Sequence, residues 1–158
     1  MLTFDRGDQR FNYRVSGAAL HAGRVLLHTV DGLEYWGLPG GRVEFGETAD
    51  QALLREMQEE LGTAVRVRDL LWVVEQFFTV GPGEPVHAGR EVHELNLIFR
   101  MELPEPQQDP ATVLDGGLTL IFQWFPLSQL PPVRPTFLVS SLLKLPDSPE
   151  YVVIDERP

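Results

Sequence analysis

Gly41 to Thr63 reads GRVEFGETADQALLREMQEELGT, and its spacing sets the expectation for everything around it. Gly41 is followed by Glu47, then by Arg55-Glu56, then by Glu59-Glu60 with Gly62 behind them. Thr48-Ala49-Asp50-Gln51 has the form of a capping box, in which Thr48 accepts from the Gln51 amide and Gln51 reaches back to the Thr48 amide. A helix is therefore expected from Ala49, and Gly62 supplies the left-handed residue that ends it. Between them lie Ala, Gln, Leu, Arg, Glu and Met, all good helix formers. At about 100° per residue, Leu53, Leu54, Met57 and Leu61 share one broad apolar stripe, the expected core face. Glu56, Glu59 and Glu60 fall on an adjacent stripe with Ala52 beside them.

Carboxylates one turn apart, such as Glu56 and Glu60, repel by about 0.2–0.5 kcal/mol in an isolated helix, and by more when partly buried. Arg55 relieves one of them, and a bound divalent cation would relieve the rest. Oxygen-only donors select hard cations. The chain has no cysteine and the segment no histidine, which favours Mg²⁺, or Mn²⁺ in its place, over zinc. Magnesium held by a few carboxylates takes further ligands from water and from substrate phosphates, so a phosphate-bearing substrate is expected. A lone Glu-Glu pair is ordinarily a solvated helix face. Here Pro39-Gly40-Gly41 precedes the helix as a tight turn that can bring backbone carbonyls near the carboxylates.

Gly41, Glu47, Arg55, Glu56, Glu59, Glu60 and Gly62, at these spacings, resemble the Nudix box, G-x5-E-x7-R-E-U-x-E-E-x-G-U, where U is a bulky aliphatic residue. Met57 fills the first U, and Thr63 at the last is the departure. The Trp36-Gly37-Leu38-Pro39-Gly40-Gly41 lead-in and the flanking strands are also similar to Nudix domains. The resemblance implies hydrolysis of a pyrophosphate linkage in a nucleoside diphosphate joined to another group, by water and with divalent cations. It implies metal ligation by Glu56, Glu59 and Glu60, with the Gly41 carbonyl as a further ligand. Arg55 would hold a glutamate by an ion pair, and Glu47 would orient Arg55 or the loop. The catalytic base would be a box glutamate, Glu56 by position with Glu59 beside it, or a later one, Glu91 or Glu94.

At 158 residues and 43% apolar content, residues 1–158 are expected to form one domain with a proper core. No run of about 18 apolar residues is present. The N-terminus lacks a basic-then-apolar signal pattern, and the absence of cysteine fits the cytoplasm. A net charge of −10 argues against a nucleic-acid polymer as partner, but not against a nucleotide whose phosphates meet bound cations. The expected partner is thus a small nucleotide, with no membrane, and with a second copy of the chain as a candidate.

Tyr13 to His21 and Arg24 to Val30 read as strands joined by a short turn. Val65 to Val80 reads as one long or bent strand, and Arg90 to Glu102 as a strand paired with it. Pro104 to Pro110 reads as a loop, because its prolines forbid a regular element. Leu118 to Phe125 reads as a strand, Pro135 to Lys144 as a second helix, and Tyr151 to Ile154 as an edge strand. The fold class expected is α+β, an α-β-α sandwich with a mixed sheet between helices.

Outside the box, Glu75 sits in an otherwise apolar strand and Glu91, His93 and Glu94 cluster at the start of another. Arg42 and Arg90 are candidates for phosphate contact, and Tyr35, Trp36, Phe77 and Phe78 for stacking on a base. In Nudix enzymes for ADP-ribose a proline tends to lie about sixteen residues past the box. Here position 79 is Thr and Pro82 comes late, so the substrate stays open. Two other readings compete: a nucleotide-binding regulatory module with little catalysis, and removal of pyrophosphate from RNA 5′ ends.

Overall fold

The capping box forms as its residues dictate. In the computed structural model, which describes residues 1–106 and 108–158, helix α1 spans Ala49–Leu61. The Gln51 amide donates to Thr48 Oγ1 at 3.4 Å, and the Thr48 amide donates to Gln51 Oε1 at 3.0 Å. Gly62 closes the helix with φ 66°, its amide donating to the Gln58 carbonyl at 3.1 Å.

The buried face of α1 carries Ala49, Ala52, Leu53, Met57 and Glu60. Two expectations are corrected here. Leu54 is 40% exposed, and Glu60 is not on a stripe separate from the core. Seven residues from Leu53, Glu60 lies only about 20° around the helix from it, so the face that takes Leu53 and Met57 inward takes Glu60 with them.

Two sheets carry the helices. The larger is mixed and contains β1 (Thr3–Arg6), β2 (Gln9–Ala18), β7 (Glu91–Glu102), β6 (Arg66–Thr79) and β10 (Glu150–Asp155) in that order, with β5 (Gly40–Arg42) also on β2. β2 pairs with β7 and β6 with β10 in parallel; β1–β2, β2–β5 and β6–β7 are antiparallel. The smaller sheet is antiparallel: β3 (Leu20–His21), β4 (Arg24–Val30), β9 (Leu118–Pro126) and β8 (Val113–Asp115). The expected strand Tyr13 to His21 therefore splits at Ala19, and its halves join different sheets. The short strands β1 and β8 carry too little pattern to be foreseen. The bent strand Val65 to Val80 is β6, whose register shifts on both sides of Leu70. Part of the Pro104–Pro110 loop, residue 107, lies outside the described residues.

One core, with Val15, Leu26, Val43, Leu53, Met57, Phe122 and Trp124, sits under α1. A second holds Leu27, Trp72, Val74, Ile98 and Leu142, with Leu138 of α2 (Leu138–Ser141). This second helix is far shorter than the expected Pro135 to Lys144. Phe137 offers no side-chain cap, and Val139-Ser140-Ser141 are weak helix formers, so only one turn is held, by Leu138 in the core.

The β2–β7 register sets Asn12 beside Glu94, Arg14 beside Asn96 and Val15 beside Leu97. Because side chains alternate, Val15 and Leu97 turn to one side of the sheet. Asn12, Arg14, Ser16, Glu94 and Asn96 turn to the other.

His28 of β4 has a buried Nδ1 with no hydrogen-bond partner among the described residues, and its ring centroid lies 5.6 Å from that of Phe122. Burial, helped by the Arg14 charge, lowers its pKa from 6.5 to about 3. The folded chain thus refuses a proton that the unfolded chain accepts below pH 6.5. Stability associated with His28 is complete above pH 6.5 and is lost as pH falls towards 3. The residue as a whole is only partly enclosed, so the loss at pH 5 is at most about 2 kcal/mol. Urea midpoints at pH 7.5 and pH 5 are expected to diverge less for His28→Leu than for the unaltered chain; an equal divergence would show that His28 is not the cause.

Candidate active site

Arg55 ties the segment together. Its Nε donates to Glu47 Oε1 at 2.6 Å and its Nη2 to Glu47 Oε2 at 3.0 Å, a forked pair. Nη2 also donates to the Arg42 carbonyl at 3.0 Å, and Nη1 to Glu56 Oε1 at 2.7 Å and Glu59 Oε2 at 3.5 Å. Glu47 in turn accepts from the Glu44 amide at 3.0 Å. One guanidinium thereby joins the loop before α1, the end of β5 and two carboxylates of the helix. The Arg55 hydrogen bond holds the Glu47 carboxyl below the usual carboxylate range, and chiefly the Glu47 contact drives Arg55 upward.

Gly41 has a steric reason to be glycine. A Cβ at this position would lie 2.1 Å from Glu56 Cδ and 2.4 Å from its Oε2. The Glu56 carboxyl thus occupies the space a side chain would take, beside the backbone of β5. Gly40 is as constrained, since a Cβ there would meet the Val15 carbonyl at 2.0 Å.

Glu60 is 7% exposed, and its buried Oε2 has no partner among the described residues. Burial raises its pKa to about 8, with Glu56, Asp115 and Glu59 adding to the rise and Arg14 opposing it. Burial also raises Glu56, against the pull of Arg55. Among the described residues no three acidic or imidazole groups are drawn up as a ready ligand set. The orphaned Glu60 oxygen, the Glu56 carboxyl in the Gly41 cradle and the oxygen-only donors nevertheless fit a hard divalent cation. Asp115, on the short strand β8, is a further acid here that sequence patterning did not single out.

The other sequence candidates lie elsewhere. Gly41 is paired through Val15 to Leu97, and Glu91 is six residues from Leu97, about 20 Å along the strand. Glu91 accepts from Gln9 Nε2 at 3.3 Å on the surface. Glu75, His93 and Phe77 form their own cluster. His93 Nε2 lies 2.9 Å from Glu75 Oε1, Tyr151 donates to Glu75, and Phe77 stacks on His93 at 4.4 Å, with the Arg157 guanidinium 4.6 Å from the Phe77 ring centre. Glu94 is buried on the opposite side of the sheet, accepting from Asn12 Nδ2 at 3.3 Å and Gln76 Nε2 at 3.0 Å. Arg90 is bound to Asp5 at 3.0 Å. Tyr35 donates to Glu84 and is covered by Arg134 at 4.4 Å.

Arg42 adjoins the site through its backbone, its carbonyl accepting from Arg55 Nη2 at 3.0 Å. Its burial and the nearby Arg10 and Arg14 lower it from the usual arginine range, while Glu94 and Glu56 act in the opposite sense. Arg14 went unnoticed in the sequence. Its one signal is the period-two polar run Asn12, Arg14, Ser16, which marks a face without saying what it looks towards.

The NUDIX domain family model matches residues 14–142. A protein of Mycobacterium tuberculosis with the provisional name mutator protein MutT4 is 34% identical over 110 residues, 68% of this chain and 40% of that protein. An 8-oxo-dGTP diphosphatase of Proteus vulgaris is 50% identical over 44 residues, 28% of this chain and 39% of that protein. The chain thus spans well under half the length of these relatives. Among solved structures, a MutT NUDIX hydrolase from Burkholderia pseudomallei matches with a TM-score of 0.59 and 26% identity, over 82% of this chain and 95% of that one. With the box geometry in place and most of the chain matched, this protein belongs to the NUDIX family.

Proposed function

We propose that the chain hydrolyses a pyrophosphate linkage in a small nucleotide, with Mg²⁺ or Mn²⁺ held by Glu56, Glu59, Glu60 and the Gly41 carbonyl. The observation that carries this reading is the buried Glu60 oxygen without a partner among the described residues, together with a Glu56 carboxyl seated in the cradle that Gly41 leaves open. A buried carboxylate without a partner is costly, and a ligand that completes it accounts for its presence. The cation, when bound, neutralises phosphate charge and lowers the pKa of a coordinated water.

The residues themselves do the rest. Arg55 keeps Glu56 and Glu59 aimed through its bonds to both. Glu47 keeps Arg55 from swinging away by engaging the other edge of its guanidinium. Glu56 Oε1 is engaged by Arg55, which leaves Oε2 for the cation, and the more exposed Glu59 is the group we assign to take the proton of the attacking water. Water oxygen bonds to phosphorus as the bridging P–O bond breaks, and the released phosphate oxygen departs with the bonding pair. Glu91, about six strand residues from the level of Gly41, has no part in this reading.

Turnover of a nucleotide panel with Mg²⁺ or Mn²⁺ tests the assignment. Glu60→Gln is expected to lower kcat by about a hundredfold or more; equal turnover in both proteins would end the metal-ligand role of Glu60. Gly41→Ala is expected to lose activity to a similar degree while remaining folded, because the added methyl displaces the Glu56 carboxyl rather than a core group. Arg55→Lys keeps the charge but loses the fork. Its kcat is expected to fall about tenfold or more, and unchanged kcat would show that the fork does not position the glutamates.

A further inference from the structure

β6 and β7 are joined through residues 80–90, and Thr79 faces Glu91 where this connection leaves the sheet. Glu91 is also paired with Gln9, so the connection departs at the Gln9 end of β2. Glu84, midway along it, nevertheless accepts a hydrogen bond from the Tyr35 hydroxyl. Tyr35 belongs to the segment that runs to the other end of β2. The Gly17 amide donates to the Pro39 carbonyl at 2.9 Å, and Gly17 is eight residues from Gln9, about 26 Å along a strand. For Glu84 to meet Tyr35, the connection turns back along the sheet rather than out into water. The face is fixed as well. Trp36 and Leu38, which follow Tyr35, pack in the core with Ala18, Val74 and Ile98. By alternation Ala18 shares a face with Ser16 and Asn12, and Ile98 shares it with Asn96 and Glu94. The connection therefore lies over the polar face of the mixed sheet, away from the side that Val15 and Leu97 present to α1.

Little holds it there. The backbone bonds of residues 81–89 are local: the Glu84 amide donates to the Gly81 carbonyl at 3.2 Å, the Gly89 amide to the Val80 carbonyl at 2.8 Å and the Arg90 amide to the His87 carbonyl at 3.1 Å. No residue of this stretch belongs to either core. Gly81, Gly83 and Gly89 have nothing within 4 Å of where a Cβ would stand, and a cleft of about 280 Å³ stays open between Pro85 and the turns at Asp31 and Gly117. Among the described residues, Tyr35 to Glu84 is the single hydrogen bond that ties residues 81–89 to anything outside their own hairpin. The Tyr35 end, by contrast, is a rigid post. Its carbonyl accepts from Thr29 Oγ1 at 2.7 Å, the Trp36 amide donates to the Pro132 carbonyl at 2.9 Å, and Gly37 exchanges two bonds of 2.9 Å with His28. The Arg134 guanidinium lies 4.4 Å from the Tyr35 ring centre. A segment with few apolar contacts and few bonds to its surroundings opens at far lower cost than the sheet beneath it.

We propose that residues 81–89 are a lid over the polar face of the mixed sheet, and that Tyr35 is the latch that keeps the lid down through Glu84. The polar face of a sheet ordinarily meets water, yet Asn12, Ser16, Glu94 and Asn96 are all buried. The folded-back hairpin is the roof that shelters them. Releasing one hydrogen bond lets the roof lift and uncovers this floor without disturbing either core. Tyr35 is in this role a positioning residue, which acts through Glu84 and takes no part in bond breaking. That the lid governs how long a substrate is retained rests on the hydrolase reading; the latch itself does not.

The test is limited proteolysis of the full chain by an unspecific protease, with cuts inside residues 81–89 located by mass. Cleavage there follows the population of the open lid. Tyr35→Phe keeps the ring under Arg134 and loses only the hydroxyl, and it is expected to be cut in the loop about tenfold faster, with cuts elsewhere unchanged. Glu84→Ala is expected to match it, and Glu84→Gln, which keeps an acceptor oxygen, to fall between Glu84→Ala and the unaltered chain. Tyr151→Phe, which removes the Tyr151–Glu75 bond on the other face, is expected to be cut like the unaltered chain. Should Tyr35→Phe fail to fold, the two Glu84 variants decide, since they change only the loop. Equal cleavage of the unaltered chain, Tyr35→Phe and Glu84→Ala overturns the latch. With a nucleotide that is turned over, Tyr35→Phe is expected to raise KM about threefold or more while kcat holds, because an unlatched lid retains substrate less well and the box glutamates are untouched. Faster cleavage with an unchanged KM overturns the lid's hold on substrate. If the unaltered chain turns over no nucleotide, the hydrolase reading falls and cleavage alone still decides the latch. If turnover is intact and the loop variants are cut no faster, the hydrolase reading stands and the latch falls.

Discussion

The forked ion pair between Arg55 and Glu47 is the constraint on which the site's arrangement depends. Glu47 lies before the helix cap and Arg55 two turns into the helix, so the pair folds the connecting loop back against α1. The same guanidinium holds the Arg42 carbonyl, which attaches α1 to the short strand β5. This three-residue strand is held to β2 by its ladder and by flanking bonds from Gly17 N to Pro39 O and from Val43 N to Tyr13 O. The arginine and the contact of Gly41 with Glu56 add the tie between that strand and the helix glutamates. A charge-assisted fork is stronger and more directional than a lone ion pair, and both side chains are sheltered enough for it to matter.

Around that anchor the chain tolerates two electrostatic arrangements that folding alone would disfavour. Glu60 is carried inward by the same helical face that buries Leu53 and Met57, and one of its oxygens has no partner. On β2 and β5, two arginines face each other across a ladder. Each is destabilising alone: burial pushes Glu60 towards its neutral form, and the facing arginines repel. Local conflicts of this kind concentrate where a ligand is to be held, because the ligand supplies what the chain omits. Glu60 sits against the core under α1, and the two arginines lie on the sheet face that also carries the buried polar residues Asn12, Ser16, Glu94 and Asn96.

Much of this was legible in the residues. The capping box, the Gly62 stop and the Arg55–Glu47 spacing all predict contacts within one short stretch, and all of them form. The long strands were legible as well, because alternation persists over β6 and β7. Short elements were not. β1, β5 and β8 are too brief to show a period, and the expected second helix shrank to one turn because no cap supports it. The Tyr13 to His21 run looked continuous, although its two ends enter different sheets at Ala19. Leu54 and Glu60 exchanged their expected places because a periodic stripe gives the shape of a face, while the direction it turns is set by what it packs against.

Local spacing thus decides the helix, its caps, the forked ion pair and the family, since each depends on residues close enough along the chain to meet whatever the rest does. Strand pairing decides the remainder. Arg14 lies 28 residues before Arg42, and nothing in either neighbourhood marks them as opposite one another. Glu91 and Glu94 look alike as candidates in the sequence, yet the register leaves the first on the surface far along β7 and sends the second through to the buried side of the sheet. A strand presents alternate side chains to opposite faces, so a candidate's fate turns on register and sheet order. Those are properties of partners distant in sequence, and only the assembled sheet supplies them.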